Sequence, residues 1–243
     1  MKDLYEKSEI SFALFWIALY VATSIILGNL GDNKTALAVG LAVISVLMFL
    51  FVYRNGLLKK YGLDGWGENN RALLWFIPLW IIASGNFWGG FMSDCHGSAI
   101  ITAAVSMAFV GFVEELVFRG FLFKAMLKDG NVAMAIIVSS VTFGLGHIFS
   151  LFTGDSFIES LTGIVVAITM GFVLTMVFFK CGSLIPCIIA HCVIDVSSVF
   201  TADKTGLLNV IYIIVFFSFA IGYCLYLLHI KTPDIHKTET NIN

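Results

Sequence analysis

Three ionisable side chains, Glu114, Glu115 and Arg119, interrupt an otherwise uncharged apolar stretch at residues 98–123. Near the centre of a bilayer each such group costs roughly 2.5–3.5 kcal/mol, so three together predict a protein interior or a water-filled cavity, and a function. Two further apolar segments carry Phe143 with His147 and His191 with Asp195. Both pairs are spaced i, i+4 and so share a helical face. Carboxylates and imidazoles of this kind can take a proton from water and stabilise negative charge on a reacting oxygen, which is the chemistry of hydrolysis.

The spacing separates the two glutamates. Glu115 and Arg119 are four apart with the acid first, which favours an ion pair. Glu114 lies about 100° further around the helix with no arginine at i+3 or i+4, and is left free to act as a general base. On its own helix Asp195 can accept from one ring nitrogen of His191 and fix its tautomer, leaving the other for substrate, water or metal. Gly144 and Gly146, just before His147, admit close approach of another backbone or of a substrate. His96, His229 and His236 lie in boundaries and tails and are expected to be solvated.

The elements that position these groups are membrane helices. The 243-residue chain is 59% hydrophobic and 12% charged, with mean hydropathy +0.94. Soluble domains are about 45–50% apolar and about 25% charged, so a soluble protein is excluded. Eight segments approach the roughly 20 apolar residues of a span: 10–30, 34–53, 72–92, 98–123, 131–152, 157–179, 183–200 and 207–230. We expect an all-α polytopic protein of about eight transmembrane helices, one membrane domain over residues 1–243 with its motif-bearing core at about 98–200. Assigning loops alternately puts eleven Lys and Arg on one side (2, 7, 54, 59, 60, 71, 124, 128, 180, 231, 237) and two on the other (34, 204), Arg119 apart. By the positive-inside rule both termini are cytoplasmic. At 1.5 Å rise per residue, Glu114 lies about 15 Å from Lys124 and His191 about 16 Å from Lys180, whereas His147 lies about 24 Å from Gly130, more than a turn higher.

The remaining features carry no chemistry. The five cysteines include no C-x-x-C pair and are expected to be small hydrophobes, Cys95 in a loop and the others in or beside apolar segments. The apolar run after Ile10 has no small-x-small cleavage site and reads as a retained helix. Residues 54–71, rich in glycine with Trp66, suit a turn at headgroup level. Gly85 and Gly89 form a G-x-x-x-G expected to pack helices within the chain. There is no repeat of fixed period and no inverted pair of interrupted helices.

In order on successive apolar helices, Glu-Glu-x-x-x-Arg at 114–119, Phe-x-x-x-His at 143–147 and His-x-x-x-Asp at 191–195 resemble the three motifs of the CPBP family of intramembrane proteases. That family includes the CaaX prenyl endopeptidases and bacterial Abi proteins. The resemblance covers about residues 98–200 and implies an endopeptidase acting at or within the membrane. It implies that Glu114 activates water together with His147, that His191 and Asp195 stabilise the oxyanion, and that Arg119, Glu115 and Phe143 support them. The best-understood members have asparagine where this chain has Asp195, and the family admits either. An ionised carboxylate repels an oxyanion, so Asp195 acts protonated or acts by orienting His191.

Other readings compete. Polar groups can serve only as interhelical glue, worth about 0.6 kcal/mol per hydrogen bond. The ligand types of a catalytic zinc site are present, with Glu114, His147 and His191 as the set, but H-E-x-x-H and any tight two-histidine spacing are missing. No cofactor is therefore expected as a requirement, with zinc as the alternative. A proton-coupled carrier or a non-catalytic immunity or scaffold protein would also place Glu, His and Asp in the membrane. The expected partners are a membrane-embedded or lipidated peptide and the bilayer, with no nucleic acid at a net charge of −2. The expected location is a bacterial cytoplasmic membrane.

Overall fold

The computed structural model describes residues 1–28, 35–93, 97–128, 130–148 and 156–232. Expectations for Lys34, Cys95, His96, His236, Lys237, the end of the 131–152 span at 149–152 and the break at 153–155 fall outside them. The described residues form α1 (Lys2–Lys7), α2 (Glu9–Gly28), α3 (Thr35–Arg54), α4 (Ile77–Ala83), α5 (Ser98–Glu114), α6 (Lys124–Leu127), α7 (Val132–Leu145), α8 (Phe157–Cys181), α9 (Ile185–Ser198) and α10 (Gly206–Leu228). A π-helical segment, Glu115–Phe123, joins α5 to α6 without a break. The molecule is all-α, and among the described residues five helices are long and apolar enough to cross a membrane: α2, α3, the continuous Ser98–Leu127, α8 and α10.

Three expected spans differ in form. Val132–Ile148 and Ile185–Ser198 are helical but short. The 72–92 segment is broken: 3-10 turns at Leu74–Phe76 and Ser84–Gly89 flank the seven residues of α4. Pro78 sits in the first turn of α4, where its missing N–H does no harm. Ahead of it Leu74, Trp75 and Phe76 take left-handed φ values of 55°, 52° and 60°. The Ala72 carbonyl is met from α10 by the Tyr226 hydroxyl at 2.8 Å, and the Leu73 carbonyl, which also accepts from the Phe76 N–H at 3.0 Å, by the Tyr223 hydroxyl at 2.9 Å. The G-x-x-x-G pair does pack within the chain: a Cβ on Gly85 would fall 2.3 Å from the Tyr212 ring, and one on Gly89 2.0 Å from the Ala202 carbonyl oxygen.

The π-helical segment is the hub. Residues 113–125 are all buried, and α2, α7, α8 and α9 pack around them. At the α7–α8 seam, a Cβ on Gly144 would lie 2.2 Å from the Ile168 side chain and 2.8 Å from its backbone nitrogen. The backbones can approach this closely because one side chain is absent, the usual device of helix pairs in lipid. Gly146 faces open space.

Local signals set the helix ends. Asn131 caps α7 by accepting from the Met134 N–H at 3.0 Å. Ser156 and Glu159 form a reciprocal capping box on α8, which stops at Gly182 with φ 73°. The 54–71 loop is more than a headgroup turn, because it clamps the α8–α9 corner. Leu184 N–H donates to Gly62 O at 2.8 Å and Glu68 N–H to Cys181 O at 2.7 Å. Lys60 at 2.5 Å and Lys128 at 2.7 Å share Glu9 Oε1, tying this loop and the end of α6 to the start of α2.

Candidate active site

The hub segment and α9 bring Glu114, Glu115, Arg119, His191 and Asp195 together. Arg119 Nη1 donates to Glu115 Oε1 at 2.9 Å with both side chains fully buried, the ion pair expected from their spacing. The same Oε1 lies 2.7 Å from His191 Nδ1, a contact between residues 76 apart in sequence. His191 Nε2 faces the opposite way, 3.5 Å from Glu114 Oε2 and 3.4 Å from Asp195 Oδ2. The hydrogen bond that orients the imidazole is thus made by Glu115, and Asp195 approaches the other nitrogen. Close packing of α9 on α5 decides this: a Cβ on Gly111 would fall 3.0 Å from Cys192 Sγ and 3.1 Å from its backbone nitrogen, so the adjacent His191 ring is drawn down onto Glu115.

Phe143 binds the cluster to α7. Its ring lies 4.0 Å beneath the Arg119 guanidinium carbon, a cation–π contact that replaces part of the lost hydration. The Nε and Nη2 of Arg119 have no hydrogen-bond partner among the described residues, nor has Glu115 Oε2, so this ring contact is a substantial part of what holds the guanidinium. The ring centroid is also 5.5 Å from that of His147 and 5.5 Å from that of His191. The two imidazoles flank one phenyl ring, with His147 exposed at the rim beyond the end of α7, in keeping with its higher depth in the sequence.

One residue escaped the sequence reading. Tyr20, on α2, donates its hydroxyl proton to Glu114 Oε1 at 2.6 Å across 94 residues. The available signal was its position near the middle of a 20-residue apolar helix, whereas membrane tyrosines favour the interfaces.

The arrangement offers three carboxyl groups, one guanidinium and one imidazole in a largely buried volume. Glu115 is 0% exposed and Glu114 8%; the first shares its Oε1 between Arg119 and His191, and the second sets its Oε2 beside His191 Nε2. Among the described residues no three His, Cys, Asp or Glu side chains converge as a metal-ligand set.

Helices and site together define a multi-pass membrane protein with a buried carboxylate–imidazole centre. Residues 96–197 match the model of the family described as type II CAAX prenyl endopeptidase Rce1-like. The match contains every motif residue from Glu114 to Asp195 and upholds the resemblance drawn from them; Tyr20 lies outside it. The chain matches no curated protein and no solved structure.

Proposed function

We propose that this protein is an intramembrane endopeptidase in which Glu114 activates the hydrolytic water. The observation that carries the reading is the division between the glutamates: Glu115 Oε1 is committed to Arg119 and His191 Nδ1, while Glu114 Oε2 stands 3.5 Å from the other ring nitrogen, Nε2. In this reading Glu114, with His147 at the rim, takes a proton from water and the hydroxide attacks the peptide carbonyl carbon. Since His191 Nδ1 donates to Glu115, Nε2 donates to the oxyanion as part of an imidazolium, assisted by Asp195 in its protonated form. Collapse of the tetrahedral intermediate breaks the C–N bond, and the proton held by Glu114 passes to the leaving amine. Glu115, Arg119 and Phe143 hold the imidazole and the helix.

The family match supports a peptidase, and its description makes a prenylated C-terminal peptide the first substrate class to examine. The test uses purified protein in nanodiscs and a quenched fluorogenic peptide ending in a prenylated CAAX sequence. Cleavage is expected, reduced by about 10²–10⁴-fold in Glu114→Gln, the usual contribution of general base catalysis. Strong chelation is expected to leave the rate unchanged. Loss of cleavage with chelator and recovery with stoichiometric zinc would convert the site to a zinc centre held by Glu114, His147 and His191. Proton flux without cleavage would favour a carrier.

A further inference from the structure

We infer that Tyr20 is a positioning residue for Glu114, so that the reaction centre extends beyond the matched segment into the first long helix of the chain. The inference rests on the assignment of Glu114 as the base and adds what holds that base in place. Phe12, Trp16 and Tyr20 recur every four residues on α2, and Phe12 and Trp16 are buried. Phe12 also packs edge-on against Phe121 of the π-helical segment at 5.0 Å. Two turns further along, this same face brings the Tyr20 hydroxyl to Glu114 Oε1 at 2.6 Å. That separation is in the short range, about 2.5–2.7 Å, of O–H···O bonds to an ionised acceptor.

The bond answers a particular need. A glutamate side chain has three rotatable torsions, and its free carboxylate oxygen stands 3.5 Å from His191 Nε2. Unrestrained, the carboxylate can rotate and turn either oxygen to the imidazole, losing a defined orientation toward a water. Tyr20 fastens Oε1, so Oε2 is held beside His191 Nε2 in one orientation. A partly buried tyrosine ordinarily finds a partner for its hydroxyl, and here the partner is the glutamate that Arg119 does not hold. Tyr20 touches no reacting atom and acts only through Glu114.

Tyr20→Phe removes the hydroxyl and keeps the ring. With the prenylated fluorogenic peptide, kcat should fall by about 10- to 100-fold, the equivalent of one hydrogen bond to a charged group. KM and the melting temperature in detergent should stay at wild-type values. Tyr20→3-fluorotyrosine keeps ring and donor and should recover most of the lost rate. An unchanged kcat in Tyr20→Phe, or a loss of rate matched by a fall in melting temperature and a rise in KM, overturns the inference. Infrared difference spectra read the contact without turnover: Tyr20→Phe should shift a carboxylate band that Glu114→Gln deletes, and a band that does not move sinks the proposal even if no peptide is cut. Full activity in Glu114→Gln refutes the base and with it the role of Tyr20. A dead Glu114→Gln beside a fully active Tyr20→Phe refutes Tyr20 alone.

Discussion

Adjacent glutamates with unlike partners should have unlike phenotypes. Glu115 joins Arg119 to His191 with no solvent exposure. Breaking one side of a buried pair costs about 3–5 kcal/mol because it strands the other charge. Glu115→Gln should therefore lower the folded yield and the melting temperature, and in what remains folded it should slow turnover by releasing the His191 ring. Glu114→Gln is nearly isosteric and should leave melting unchanged while removing activity. A stable, inactive Glu115→Gln beside an active Glu114→Gln would exchange the two roles. For Asp195, placed 3.4 Å from Nε2, Asn retains a donor for an oxyanion and Ala does not. Steady-state rates should fall only a few-fold in Asp195→Asn, on the order of one neutral hydrogen bond, and far more in Asp195→Ala. If Asn is as damaging as Ala in folded protein, the residue works as a carboxylate.

The helices reach the site through close contact, and the two glycines before His147 differ in what they touch. Gly144 faces the Ile168 backbone across the α7–α8 seam, whereas Gly146 faces nothing within 4 Å. Forcing a methyl group into packed space typically costs about 1–3 kcal/mol. Gly144→Ala should accordingly lower the melting temperature and, by pushing α7 outward, move Phe143 off Arg119 and reduce activity. Gly146→Ala should leave the melting temperature unchanged. Equal melting of the two variants would show that the seam is loose. The π-helical geometry of Glu115–Phe123 falls on the segment carrying the ion pair, as π-turns often do at functional sites.

At the scale of the molecule, orientation in the bilayer follows from charge. We propose cytoplasmic termini on the eleven-to-two distribution of Lys and Arg, and two of those lysines, Lys60 and Lys128, meet at Glu9. A reporter active only in the cytoplasm, fused after Asn243, should be active, and one inserted beside Asp203 should not. The reverse pattern would invert the protein in the membrane and place Glu9 and its lysines on the outside.

Composition by itself determined that this is a polytopic helical membrane protein, because hydrocarbon admits few other ways to satisfy a backbone. Local spacing determined the Glu115–Arg119 pair, since i, i+4 neighbours meet in almost any helix. Only the tertiary structure decided that His191 Nδ1 turns to Glu115 in place of Asp195, and that Tyr20 reaches Glu114. Both contacts depend on the rotation of each helix about its own axis. A membrane helix that is apolar on every side has no amphipathic stripe to reveal that rotation; interlocking shapes such as Gly111 against Cys192 set it. The same reason hid the break at residues 72–92: its apolar composition reads as a continuous span, while the bonds that release its backbone come from Tyr223 and Tyr226, about 150 residues away in the chain.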